Sequence, residues 1–189
     1  MRIVAGSLRG RPLVAPEGLA VRPTADRTRE ALFGILEGGR LSGGISPLAG
    51  GLVLDAFAGT GALGLEALSR GAETVVFIER APAALESLRA NVRTLGVSAR
   101  CRIVERDALH PPRAEAPATL VLLDPPYNQG LVGPALAALA AAGWIGPESL
   151  IAVELLKAEA LPTPPGLHLL DDRRYGKTRL LFFRQDGTG

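Results

Sequence analysis

From Leu52 onward the chain alternates short apolar runs with helical stretches, and this alternation limits the possible folds more than any other feature. Leu52-Val53-Leu54-Asp55, Thr74-Val75-Val76-Phe77-Ile78, Arg102-Ile103-Val104, Leu120-Val121-Leu122-Leu123 and Leu150-Ile151-Ala152-Val153 read as five buried strands. Helices are predicted between them, from Gly61 to Arg70, Pro82 to about Leu95 and Leu131 to Ala142. Gly71 and Gly96 suit helix C-termini, where a left-handed residue closes the last turn; Pro82 suits a first turn, which has no amide hydrogen bond to lose. Continuous apolar strands separated by helices make a parallel sheet covered on both faces. Leu167 to Leu170 and Thr178 to Phe183, joined near Tyr175-Gly176-Lys177, have no helix between them and predict an antiparallel hairpin at one edge. The expected class is α/β.

The first 45 residues have a different pattern. Ile3-Val4-Ala5 and Pro12-Leu13-Val14 flank a polar turn, predicting a small hairpin. A helix is predicted from about Ala25 to Glu37, with Thr24 as N-cap, Asp26 in the first turn and Gly38-Gly39 as the stop. Its apolar residues Ala31, Leu32, Ile35 and Leu36 fall on one face. Leu41 to Gly51 is rich in Gly, Ser and Pro, so the division expected is an extension over 1–45 and a main domain over 46–189.

Composition removes several classes. A chain of 189 residues that is 47% hydrophobic and 21% charged can bury a core, so disorder is not expected. The single Cys101 makes no internal disulfide, and with His110 and His168 it supplies too few ligands for a zinc site, so no metal is expected. Leu131 to Trp144 is apolar but too short to cross a membrane, and no secretory signal is visible, so a cytoplasmic protein is expected. Net charge is only +2, but basic residues gather at both ends: Arg2, Arg9, Arg11, Arg22, Arg27 and Arg29 at one, Arg173, Arg174, Lys177, Arg179 and Arg184 at the other. Basic ends around a neutral centre suit a polyanion, although either cluster alone reads as solvated surface.

Phe57-Ala58-Gly59-Thr60-Gly61-Ala62-Leu63-Gly64 follows the first strand and opens the next helix, fitting G-x-G-x-x-G. Glu79 ends the second strand about 20 residues on, where a ribose-binding acid is expected. A nicotinamide enzyme would share these features. Asp55 tilts the choice, because a carboxylate just ahead of the glycines would repel a pyrophosphate but suit a ligand carrying an amino group and a sulfonium. That describes S-adenosylmethionine. Asp107, followed by Ala108, lies after the third strand, where an adenine amino group could be read; alone, it would pass for a turn residue.

Asp124-Pro125-Pro126-Tyr127 ends the fourth strand, on the sheet edge where open α/β folds bind ligands. The prolines remove two amide donors and leave carbonyls that only accept. Asp124 and the Pro125 carbonyl can take the two hydrogens of a planar amino group, and Tyr127 can stack on its ring. This points to methyl transfer onto an exocyclic amino nitrogen, driven by positioning and electrostatics.

The set Asp55-Ala56-Phe57-Ala58-Gly59-Thr60-Gly61, Glu79, Asp107 and Asp124-Pro125-Pro126-Tyr127 resembles the amino-group class of class I methyltransferases. Arg22-Pro23-Thr24-Ala25-Asp26-Arg27-Thr28-Arg29-Glu30-Ala31-Leu32-Phe33 and Ala62-Leu63-Gly64-Leu65-Glu66-Ala67-Leu68-Ser69-Arg70-Gly71-Ala72 narrow the likeness. Together they resemble the RsmD family of bacterial 16S ribosomal RNA guanine-N2 methyltransferases, from Arg2 to about Phe183. The resemblance implies a seven-stranded Rossmann-like sheet with its last strand antiparallel, S-adenosylmethionine as cofactor, and a substrate within the small ribosomal subunit or its assembly intermediate. A monomer is expected. It implies cofactor contacts from Asp55, Phe57, Gly59, Thr60, Gly61, Glu79, Arg80, Asp107, Ala108 and Asp124, and a catalytic clamp from Asp124, Pro125, Pro126 and Tyr127. Arg9, Arg11, Arg22, Thr24, Arg27, Arg29 and Lys177 are expected at the RNA; the Arg22 to Arg29 stretch is alternatively a cover over the cofactor. Three alternatives stay open. One is the same chemistry on DNA adenine or cytosine or on protein glutamine. The others are a nicotinamide-dependent oxidoreductase and a non-catalytic ribosome-assembly factor.

Overall fold

The computed structural model describes residues 1–16, 23–161 and 163–185, and the side chains of Pro23, Thr24 and Ala25 lie outside that description. Seven strands form one sheet: β1 Leu52–Asp55, β2 Thr74–Glu79, β3 Cys101–Glu105, β4 Leu120–Leu123, β5 Leu150–Leu156, β6 Leu167–Tyr175 and β7 Thr178–Gln185. Among the described residues four α-helices accompany them: α1 Pro23–Glu37, α2 Ala62–Ser69, α3 Pro82–Leu95 and α4 Val132–Ala141. The strand order is β3-β2-β1-β4-β5-β7-β6. Pairs among β1 to β5 are parallel, whereas β7 runs antiparallel to both β5 and β6.

The continuous apolar runs are explained by layering. Side chains alternate across a strand, so neighbouring residues enter opposite cores. Val53, Val75, Phe77, Leu120, Leu122, Ala152 and Phe182 face α1, α2 and α3. Leu54, Val76, Ile78, Val121, Leu123, Ile151 and Phe183 face α4 and Trp144. Gly64 lets α2 lie against the sheet, since a Cβ there would come within 2.3 Å of the Phe77 ring. β6 is an edge strand whose Asp171, Asp172, Arg173 and Arg174 make it a poor template for a further strand.

The N-terminal segment forms a minimal hairpin with one bridge, Arg2 to Pro12. It is tied to α2: the amides of Val4 and Ala5 donate to Glu66 at 2.8 and 3.0 Å, and the amides of Ser7 and Leu8 donate to Ser69. Ile3, Leu13, Leu32, Phe33 and Leu36 join the same core as the sheet. Two details differ from expectation. α1 begins at Pro23, so Thr24 lies inside the helix rather than capping it; proline fits a first turn because that position needs no amide donor. β5, β6 and β7 run longer than the apolar pattern implies, because hairpin pairing carries them through charged residues.

Candidate active site

The C-terminal edge of the sheet carries one carboxylate from each of five adjacent strands. Asp107 follows β3, Glu79 ends β2, Asp55 ends β1, Asp124 follows β4 and Glu154 lies near the end of β5. All five line one cavity of about 700 Å³, a size that suits a small-ligand site. Strand order alone makes this row, since it sets these five strand ends side by side.

Asp55 is buried, and one of its oxygens accepts from the Gly64 amide at 2.9 Å. Its other oxygen is buried without a hydrogen-bond partner among the described residues. Burial, moderated by the Gly64 amide and reinforced by Glu79, pushes the carboxyl up to about 7. Glu79 ties the loop together, accepting from the Gly59 amide at 2.7 Å and from the Arg80 and Ala81 amides at 2.8 Å. Asp107 accepts from the Leu109 amide at 2.9 Å and from Arg80 at 2.7 Å, and these two donors hold its carboxyl below the ordinary range.

Asp124 follows β4 and is exposed to the cavity that it lines. Surrounding protein, then the Glu154 and Asp55 carboxylates, hold its carboxyl well above the ordinary range. Tyr127 is half-buried and donates its hydroxyl to Glu154 at 3.2 Å. Burial and these carboxylates push its phenol up. Burial also pushes Glu154 up, against the Tyr127 hydroxyl and the charge of Arg29.

The expected cofactor residues Asp55, Phe57, Gly59, Thr60, Glu79, Arg80, Asp107, Ala108 and Asp124 all line this cavity, as do Pro125, Pro126 and Tyr127. Gly61 does not. It takes φ 82 at the N-cap of α2, where a Cβ would come within 2.4 Å of Leu88, so it shapes the turn from behind. Gly59, at φ 54, has open space where a Cβ would project. Asn91 of α3 accepts from the Val14 amide and donates to the Thr60 carbonyl, linking the hairpin to the glycine turn.

Arg29 lies buried at the cavity wall, donating to the Arg2 carbonyl and to Asp26, with Glu66 3.6 Å away. That places it inside the protein rather than on an outer face. Arg9, Arg11, Arg27 and Lys177 are exposed, and Arg11 donates to the Thr94 carbonyl. Arg22 and the Thr24 side chain lie outside the described residues.

Sequence reasoning missed Glu154. Its signal was present as a single acid inside the apolar run Leu150–Leu156, since a charge in a buried strand needs a reason. It also missed Glu66, a wholly buried glutamate on α2 that is bonded to Arg70 at 2.8 Å. Cys101 is half-buried at the start of β3, and burial pushes its thiol up to about 11, as for an inert packing residue. Among the described residues no cluster of His, Cys, Asp and Glu is arranged to hold a metal ion, and no helix is long and apolar enough to cross a membrane.

Residues 1–184 match the family described as conserved hypothetical protein 95. The chain is 38% identical over 166 residues to ribosomal RNA small subunit methyltransferase D of Escherichia coli (strain K12), spanning 87% of this chain and 79% of that one. It is 35% identical over 180 residues to the protein of the same name from Haemophilus influenzae, spanning 93% and 89%. The solved structure of the Escherichia coli protein yhhF superposes with a TM-score of 0.82 at 34% identity, covering 98% of each chain.

Proposed function

The chain belongs to the conserved hypothetical protein 95 family, the RsmD family of ribosomal RNA methyltransferases, and on that premise we propose that it uses S-adenosylmethionine to methylate the exocyclic N2 of a guanine in 16S ribosomal RNA. The observation that carries this reading is the meeting of Asp124-Pro125-Pro126-Tyr127 with Asp55, Gly59, Glu79 and Asp107 in one cavity. When bound, S-adenosylmethionine supplies an electrophilic methyl on a sulfonium, which departs as a neutral thioether.

The residues present fit that group. The unpartnered oxygen of Asp55 is a buried acceptor in want of a donor, which an ammonium supplies. The row of carboxylates favours a cationic ligand and disfavours a pyrophosphate, which weighs against a nicotinamide dinucleotide. Glu79 is placed for ribose hydroxyls, and Asp107 with Ala108 for an adenine edge.

Asp124 and the Pro125 carbonyl hold the two hydrogens of the target amino group and point its nitrogen into the cavity. Tyr127 packs on the base. As the nitrogen forms its new bond to carbon, it must lose one proton, and the raised pKa of Asp124 makes that carboxylate a stronger base than an ordinary one and its proton acceptor. Guanine N2 is inside a base pair in duplex RNA, so the target base must be unpaired or flipped into the cavity. Residues 1–45 act as an extension, whose α1 lends Asp26 and Arg29 to the cavity wall, and exposed Arg9, Arg11, Arg27 and Lys177 meet RNA phosphates. The enzyme acts as a monomer in the cytoplasm on the small subunit or its assembly intermediate.

The test is transfer of labelled methyl to unmodified small subunits, naked ribosomal RNA, duplex DNA and a protein extract, followed by nucleoside analysis. N2-methylguanosine in small-subunit RNA is the expected result. Label in DNA or protein, or no transfer by a chain that binds S-adenosylhomocysteine, overturns the proposal.

A further inference from the structure

Glu154 is the cavity carboxylate that the methyl-transfer reading leaves without a task. β4 and β5 are parallel neighbours with Leu123 opposite Val153, so the next residues, Asp124 and Glu154, stand side by side at the sheet edge. Glu154 is partly exposed to the cavity. Its Oε1 accepts from Tyr127 at 3.2 Å, and the described residues supply no hydrogen-bond donor to Oε2. A second acceptor therefore lies next to the clamp that holds the amino group.

The chemistry of amino-bearing substrates makes that placement selective. In guanine, the exocyclic amino nitrogen is flanked on its Watson–Crick side by N1–H, a donor, and on the other side by N3. In adenine and cytosine the neighbouring ring nitrogen carries a lone pair, and in a glutamine side chain the neighbour is a carbonyl oxygen. A carboxylate beside the amino clamp attracts the first and repels the other three.

Resting on the guanine reading above, we propose that Glu154 is a specificity-determining residue that accepts the N1–H of guanine through Oε2 while its Oε1 holds Tyr127 against the base. The charge of Arg29 works against the rise that burial imposes on this carboxyl, and Arg29 is itself held by Asp26 and Glu66. The N-terminal helix, which lines the cavity through Asp26 and Arg29, thus supports base selection.

The test uses the full chain and small subunits reconstituted with either guanine or 2-aminopurine at the methylated position, once nucleoside mapping has located it. 2-Aminopurine keeps the amino group but has a lone pair at N1. The wild type should prefer guanine in kcat/KM by about 10- to 100-fold, the worth of a hydrogen bond to a charged group. Glu154→Gln, whose amide can donate to that lone pair, should bring the ratio within a few fold while S-adenosylhomocysteine still binds in calorimetry. A wild type that methylates both bases equally overturns the proposal whatever the variant does. So does a Glu154→Gln chain that slows on both bases alike, since Glu154 would then only hold Tyr127. If the wild type modifies no guanine, the guanine reading itself has failed, which is a distinct result.

Discussion

The carboxylate of Glu79 accepts from the backbone amide of Gly59 at 2.7 Å, tying the end of β2 to the turn after β1. The same carboxylate also accepts from the Arg80 and Ala81 amides. Glu79 therefore has two duties, shaping the glycine turn and presenting acceptors to a ribose. Glu79→Ala should weaken S-adenosylhomocysteine binding by roughly 1–3 kcal/mol and lower the melting temperature of the free protein. Calorimetry and thermal unfolding measure the two effects separately. A lower melting temperature with unchanged affinity would leave Glu79 only the scaffold duty.

Asp124 has the opposite expectation, because it faces the target amino group. Asp124→Ala should reduce methyl transfer about 100- to 1,000-fold, as when one preorganised polar group is removed from a reacting centre. Binding of S-adenosylhomocysteine should survive, since Asp55, Glu79 and Asp107 stay in place. Single-turnover methyl transfer beside calorimetry gives both numbers, and near-normal turnover would remove the amino clamp from the mechanism.

Asp55 predicts a pH effect with a definite sign. Its carboxyl rises from an ordinary 3.8 to about 7 in the folded chain. A raised value means the folded state holds the proton more tightly, so the stabilisation is complete below about 4 and is lost as pH rises through about 7. The free wild type should lose on the order of 1–4 kcal/mol relative to Asp55→Asn between pH 5 and 8. Urea titrations at both values of pH measure it. Saturating S-adenosylmethionine should shrink the difference, because its ammonium compensates the ionised form.

Glu66 is buried among Arg29, Arg70 and the amides of Val4 and Ala5. Glu66→Ala removes the fully buried carboxylate shared by two buried guanidinium groups, leaving Arg29 only Asp26 and Arg70 only Glu37 as acidic partners, and leaves the Val4 and Ala5 amides without their acceptor. A loss of about 3–5 kcal/mol in urea unfolding is expected, the usual cost of removing one partner of a buried pair. Exchange protection of the Val4 and Ala5 amides should fall with it. A loss below about 1 kcal/mol would mean that apolar contacts alone hold the hairpin.

The sequence already pointed to much of the candidate site. Asp55, Glu79, Asp107 and Asp124 each follow or end an apolar run, and in a parallel sheet all such ends meet at one edge. The glycine spacing was legible too, but the division of labour within it was not. Gly59 faces open space while Gly61 and Gly64 make room for Leu88 and Phe77, and only the packing of α2 and α3 distinguishes them.

Local pattern by itself determined the strands, the helices and the acids at their ends, because periodicity and turn chemistry act over a few residues. The tertiary structure alone decided what depends on distant segments meeting. It put Arg29 inside the protein against Glu66, 37 positions away in a helix that sequence could not orient. It also brought Glu154 beside Asp124 and under the Tyr127 hydroxyl, through the pairing of β4 with β5. A single acid in an apolar strand says only that something must compensate its burial; which groups do so depends on the register of strands that the sequence does not write down.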